Sequence, residues 1–248
     1  MHSYFTSPIA YVVLAVFLSV AGYFYYAILS RFIMITIQMF QQSQMYQQAP
    51  PKINVNLYMI APLLQNLSVI TIFIAPLITM RLISEEKKQG TIELLMTSPI
   101  EPWQWIIGKY LASISLYAVM ILPPFLLVLA LKLFGNPEFW PVISGFLGLA
   151  LMGGSFLAMG LLISSLTENQ IVAGVISFGA FLLLWVLDWI ADAGGSLGKV
   201  ISSISVLQHY YDFSKGIIDV GNILFYLSFI IFSIYLTYRS IDSIRWRV

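Results

Sequence analysis

The chain has 248 residues, of which 59% are hydrophobic and only 9% charged, against roughly 25% charged in an ordinary soluble domain. So apolar a chain needs lipid as the solvent for most of its surface, and a net charge of +1 leaves no electrostatic footprint for nucleic acid. The lack of cysteine excludes a disulfide framework, a thiolate nucleophile and a Cys-ligated metal.

The first run, MHSYFTSPIAYVVLAVFLSVAGYFYYAILS, has no basic n-region and is long enough to span, so residues 8–30 read as a retained helix rather than a signal peptide. Residues 31–57 contain QMFQQSQMYQQAPPKINVN, polar but nearly uncharged and with a Pro-Pro pair, and read as an irregular loop. A second span over 58–80 carries Pro62 and Pro76. Charge then arrives abruptly. Arg31 and Lys52 are the only formal charges before Arg81, and Glu85, Glu86, Lys87, Lys88 and Glu93 follow at once.

A third span over 106–131 is interrupted by Pro123-Pro124, which reads either as a static bend or as a moving part. The fourth, over 142–165, places Ala150 with Gly154 and Gly160 with Ser164 at four-residue spacing. Small residues on one face allow close helix approach, inside one subunit or between two. The turn LTENQ leads to a fifth span over 171–190, where Asp188, beside Asp192, is the one acid and lies at the span's end. Without an ionisable group near the bilayer midplane, the chain offers no proton or sodium relay and no intramembrane catalytic pair.

Residues 191–222 are amphipathic. AGGSLGKV has Ala193 where a phosphate loop needs Gly and Val200 where it needs Ser or Thr, so it does not bind nucleotide. Leu207, Tyr210, Tyr211, Ser214, Ile217 and Ile218 line one helical face, as in an interfacial helix or a shallow re-entrant hairpin. His209, Asp212 and Lys215 recur at helical spacing, a local polar face too thin for a metal site. The sixth span covers 223–238.

Six spans put both termini on one side. That side holds Arg81, Lys87, Lys88, Lys109, Arg239, Arg245 and Arg247; the other holds Arg31, Lys52, Lys132, Lys199 and Lys215. The excess, and its tight clustering, assigns both termini to the cytoplasm. Tyr4, Tyr25, Tyr26, Trp103, Trp105, Trp140, Trp189, Tyr238 and Trp246 cluster at span ends as an aromatic belt. The expected fold is thus an all-α polytopic membrane protein forming one domain over 1–248, with a cytoplasmic segment between the second and third helices and an extracytoplasmic amphipathic or re-entrant segment before the sixth.

The order of residues in the charged segment adds more. RLISEEKKQGTIELLMTSPIEPWQWIIGKYLAS resembles the signature of ABC-2-type permeases, the membrane subunits of one class of ATP-binding-cassette transporter. Arg81, the Glu85–Lys88 stretch, Gly90-Thr91, Glu93-Leu94-Leu95, Ser98-Pro99 and Gly108-Lys109 each match it. YFTSPIAYVVLAVFLSVAGYFYY, SSLTENQIVAGVISF and the C-terminal stretch from His209 look like the subgroup that includes a gliding-motility-associated permease. The sequence departs from the family in one place: a basic amphipathic helix precedes the first span there, whereas this sequence begins at Met1-His2.

The resemblance implies an exporting permease of the bacterial inner membrane, paired with a second copy or a related permease and driven by a separate ABC ATPase. ATP and Mg would sit on that partner, and this chain would hold no cofactor and catalyse nothing itself. The coupling segment would comprise Glu85, Glu86, Lys87, Lys88, Gly90, Thr91, Glu93, Leu94, Leu95, Thr97, Ser98 and Pro99. Thr91 suits an N-cap, Glu93 the first turn, and Ser98-Pro99 a stop. Thr167, Glu168, Asn169 and Gln170 would make a second contact. An Arg81–Glu85 pair at i,i+4 would carry the second span into the cytoplasm as one lever. The alternative is an anchor or scaffold subunit that passes ATPase motion to an envelope or motility machine without moving solute.

Overall fold

A computed structural model describes residues 8–47, 49, 53–97, 99–133, 137–192 and 203–245. Lys52, Ser98, the 193–200 stretch, Tyr4, Trp246 and Arg247 lie outside the described residues. The described residues form helices and turns with no strand. The long helices are α1 (Pro8–Met45), α2 (Ala61–Thr79, entered through a π-turn at Asn56–Ile60), α5 (Pro102–Ala130), α6 (Phe139–Leu166), α7 (Gln170–Asp192) and α9 (Val220–Arg245). All six are long and apolar enough to cross a membrane, as expected where backbone groups must pair within their own segment. Three short helices join them: α3 (Ser84–Lys88), α4 (Thr91–Thr97) and α8 (Val206–Ser214).

One expected boundary is wrong. Residues 31–45 are not a loop but the continuation of α1, a single helix of 38 residues. Glutamine is as good a helix former as lysine or glutamate, so a polar, Gln-rich stretch need not break a helix. The chain leaves helical geometry only after Met45, with Gln47 at φ +53°. The prolines inside α2 (Pro76) and α5 (Pro123, Pro124) do not end their helices either.

Helix α6 is the centre of the bundle, touching α2, α5, α7, α8 and α9. Lipid tails are as apolar as leucine, so association of spans rests on close packing and interhelical hydrogen bonds rather than on escape from water. Both are present. The backbone of α6 is bare at Gly148, Gly153 and Gly160, where a Cβ would come within 2.5 Å of Phe213, 2.2 Å of Tyr117 and 2.2 Å of Thr79. Buried tyrosines then fasten neighbouring helices: Tyr110 donates to Gly154 O (3.1 Å), Tyr117 to Leu149 O (3.2 Å), Tyr210 to Leu64 O (3.1 Å) and Tyr226 to Val206 O (2.6 Å).

The expected pair face of α6 resolves accordingly. Gly154, Gly160 and Ser164 are buried within the chain against α5 and the end of α2, while Ala150 is exposed. Helix α8 also differs from a helix lying on the membrane surface. Val206, Leu207, Tyr210, Phe213 and Ser214 are buried, Ser144 donates to Phe213 O at 2.8 Å, and Tyr210 reaches across to α2. Ile217 and Ile218 fall after the helix, past a left-handed Gly216 (φ +92°), and are exposed.

Candidate functional site

The charged segment is built where α2 stops. Thr79 is the last residue of α2, and the chain turns through Met80–Ile83 before α3 begins. Ser164 of α6 occupies that turn. Its Oγ accepts from both Ile83 N and Ser84 N at 3.1 Å, and its proton goes to Met80 O at 3.3 Å. Amides and a carbonyl freed by the break are thereby satisfied in a place closed to water, which is the condition for a buried backbone break.

Helix α3 has Glu85 and Glu86 in its first turn and Lys87 and Lys88 in its last, each pair opposite in sign to the partial charge of the helix end it occupies. Two lysines tie this short helix down. Lys87 Nζ donates to Ser165 O at 2.5 Å, a carbonyl at the end of α6 that has no intrahelical partner and also accepts from Ser240 of α9 at 3.4 Å. Lys109, from the first turns of α5, lies 2.6 Å from Glu86 Oε1, donates to Leu82 O and stands 5.7 Å from the Trp105 ring centroid, within cation–π range.

Gly90 follows at φ +68°, the left-handed conformation that ends a helix at low cost only for glycine, and α4 starts at the next residue. Thr91 is not an accepting N-cap as expected. Its Oγ1 donates back to Glu86 O at 3.3 Å, fastening α4 to α3. Glu93 does lie in the first turn of α4 and is exposed, Leu95 is half-buried, and Pro99 and Ile100 are exposed beyond the helix. The side chains of Leu94 and Thr97 lie outside the described residues.

The second expected contact comes to the same place. Asn169 Oδ1 accepts from Ile171 N (2.9 Å) and Val172 N (3.5 Å), capping α7, and Thr167 Oγ1 accepts from Asn169 N at 3.2 Å. Glu168 faces Lys87. Burial pushes the Lys87 amine below the ordinary lysine value, and the Glu168 carboxylate pulls it part of the way back. The 81–97 segment, the α6–α7 turn that runs into Gln170, the base of α5 and the end of α9 therefore converge on one end of the bundle.

The expected Arg81–Glu85 lever is absent. The turn at Met80–Ile83 takes the two residues out of one helix, Glu85 instead accepts from Gln89 Nε2 at 3.4 Å, and Arg81 Nε is buried without a partner. The fixing residues that sequence reading missed are Ser165 and the Lys109–Glu86 link. Gly108-Lys109 stood out as a motif, but nothing in its spacing pointed to Glu86.

At the other end, the polar residues of α8 serve as fastenings. His209 stacks on Phe225 (4.0 Å between centroids) and donates from Nδ1 to Ser205 O at 2.7 Å; Asp212 accepts from Asn222 at 3.1 Å; Lys215 is exposed. Buried Asp188 accepts from Ser205 at 3.1 Å and from Tyr211 at 3.0 Å. Among the described residues no three His, Cys, Asp or Glu side chains gather as metal ligands.

Residues 5–239 match the model of a family described as ABC-2 family transporter protein. Over 155 residues, 61% of the chain, the sequence is 27% identical to a probable multidrug ABC transporter permease, YbhR, of Escherichia coli K12, and to the same extent to YbhR of E. coli O157:H7. The matched stretch spans 41% of the length of those relatives. Neither comparison supports the gliding-motility subgroup.

Proposed function

The chain belongs to the ABC-2 transporter family, and we propose that it is an exporting permease subunit whose α3–α4 segment and α6–α7 turn are seated on a separate ATPase. ATP and Mg bind and react on that partner, and two permease chains share the pathway. The cationic residues Arg81, Lys87, Lys88, Lys109 and Arg239 gather at the α3–α4 end, which supports placing that end and both termini in the cytoplasm of a bacterial inner membrane.

The observation that carries this reading is the anchoring of α3. A loop that merely solvates the membrane surface needs no buried fastening. Here α3 is held by Ser164, by Lys87 on Ser165 and by Lys109 on Glu86, while α4 beyond it presents exposed Glu93. A rigid base that carries an outer helix suits transfer of force from a docked partner into α5, α6 and α9.

Co-purification tests it. Glu93→Arg and Leu95→Asp, in full-length chain co-expressed with the ATPase, are expected to lose the ATPase while inserting into the membrane normally. Undiminished recovery of the ATPase with both variants would remove α4 from the contact.

A further inference from the structure

We infer that α1 is the interaction surface for a second copy of this chain, through a parallel α1–α1 seam that continues beyond the membrane. Helix α1 is 38 residues long, about 57 Å at 1.5 Å per residue, while the hydrocarbon core is about 30 Å thick. Val13, Phe17 and Ala21 bury one face in the bundle, and Val16, Val20 and Phe24 run beside Ile70, Phe73 and Ile74 of α2. α1 then passes the π-turn that opens α2 and carries on to Met45.

Roughly 140° round the helix from the buried face, at about 100° per residue, lies a second, exposed one. Within the span it is made by Val12, Val16, Ser19, Tyr23 and Tyr26, and further on by Ser30, Ile33, Ile37, Phe40 and Gln44. The steps between these ten positions alternate four, three, four, three without a break from Val12 to Gln44. All are exposed except half-buried Ser30. Lipid covers the first half of this face as readily as protein would. It does not cover the second half, where Ile33, Ile37 and Phe40 are 48%, 51% and 51% exposed on the part of α1 that overruns the bilayer.

An unbroken four-three repeat is the spacing at which one helix packs knobs into the holes of another with the same repeat. The membrane fixes the orientation, because two copies inserted alike present α1 to α1 in parallel, with identical residues meeting about a two-fold axis. Arg31 is the only charged residue of α1 and falls outside the seam, so no like charges face each other. Left-handed crossing at about 20° is also the common geometry of membrane helices, so one seam can run through both media. The inference rests on the paired-permease reading above and names the surface that makes the pair.

Cysteine scanning of the full chain in native membranes tests it, with no background because the chain has no cysteine. Oxidation is expected to link Ile33→Cys, Ile37→Cys and Phe40→Cys into a species of twice the chain mass, and to leave Gln38→Cys and Gln42→Cys, exposed but off the seam, largely monomeric. Ile37→Asp is expected to reduce recovery of one epitope-tagged copy by another to background, and Gln38→Asp to leave it unchanged. Equal linking on and off the seam, no linking at all, or linking only to a chain of different mass would overturn the α1 seam. ATPase recovery, read on the same samples, reports on α4 and stands or falls separately.

Discussion

Lys109 Nζ and Glu86 Oε1 meet at 2.6 Å, each side chain only a fifth to a quarter exposed, so the base of α5 grips α3 by a charge pair. Lys109 also donates to Leu82 O. Lys109→Met therefore strands both a carboxylate and a backbone carbonyl, whereas Glu86→Gln removes one charge and keeps an acceptor oxygen. An unpaired buried group costs about 1–3 kcal/mol, so Lys109→Met is expected to be the more destabilising. Glu86→Lys with Lys109→Glu restores the pair but not the bond to Leu82, and should fall between wild type and Lys109→Met. Thermal unfolding of purified chain, followed by size exclusion, gives the order. A swap no better than Lys109→Met would mean that the pair contributes nothing.

The bare stretches of α6 lead to a second expectation. An added methyl at Gly153 would lie 2.2 Å from the Tyr117 ring, whose hydroxyl also bonds Thr71 at 3.0 Å, and at Gly160 2.2 Å from Thr79 Oγ1. Neither neighbour is the loose end of a flexible side chain. Gly153→Ala and Gly160→Ala should each cost about 1–3 kcal/mol by overpacking. Gly179→Ala on α7, with nothing within 4 Å, gains helix propensity and should be neutral or slightly stabilising. Folded yield after a heat step separates the three; indifference at Gly160 would show that α2 and α6 can slide apart there.

Much of this architecture is legible in the residues themselves. Six apolar runs near the length of a bilayer crossing give the six long helices, and Gly90 announces the break before α4. What escapes is whatever depends on two distant segments meeting. Ser164 reads as one more small residue on a packing face, because its second use, holding two amides of the turn after Thr79, arises only when α2 and α6 end at the same depth. The Arg81–Glu85 pair was misread for the same reason: i,i+4 spacing implies contact only in a continuous helix, and Ser164 stabilises the interruption. The Gln-rich end of α1 was misread differently, since polarity without charge resembles a loop although glutamine favours helix.

Lys87 offers a test by titration. Its amine is held below the ordinary value of 10.5 by burial and lifted partly back by Glu168. Below the lowered value the amine is charged in folded and unfolded chain alike, so burying it counts against stability. That penalty fades as pH rises through the folded value towards 10.5. Glu168→Gln removes the lifting charge, so the folded value drops further and more neutral amine is present at any given alkaline pH. Amine-specific labelling of Lys87, read by mass spectrometry of its peptide, should be faster in Glu168→Gln than in wild type, with Lys88, exposed on the same helix, as the internal control. Slower labelling of Lys87 in the variant would mean that Glu168 does not act on it.

The last expectation concerns the far end, where Asp188 of α7 receives hydroxyl protons from Ser205 at 3.1 Å and Tyr211 at 3.0 Å, at the start and in the body of α8. A carboxylate with 1% exposure is costly unless such donors satisfy it. It is a polar link between α7 and the inserted α8, which is also bonded to α2, α6 and α9. Asp188→Ala removes both acceptors at once and should loosen α8. Tyr211→Phe removes one donor and should loosen it less. Ser214, 2% exposed near the end of α8, reports the movement: Ser214→Cys should react slowly with a water-soluble maleimide in an otherwise wild-type chain, faster beside Tyr211→Phe and fastest beside Asp188→Ala. Reactivity unchanged by Asp188→Ala would mean that the fastenings of α8 to α2, α6 and α9 hold it in place without Asp188.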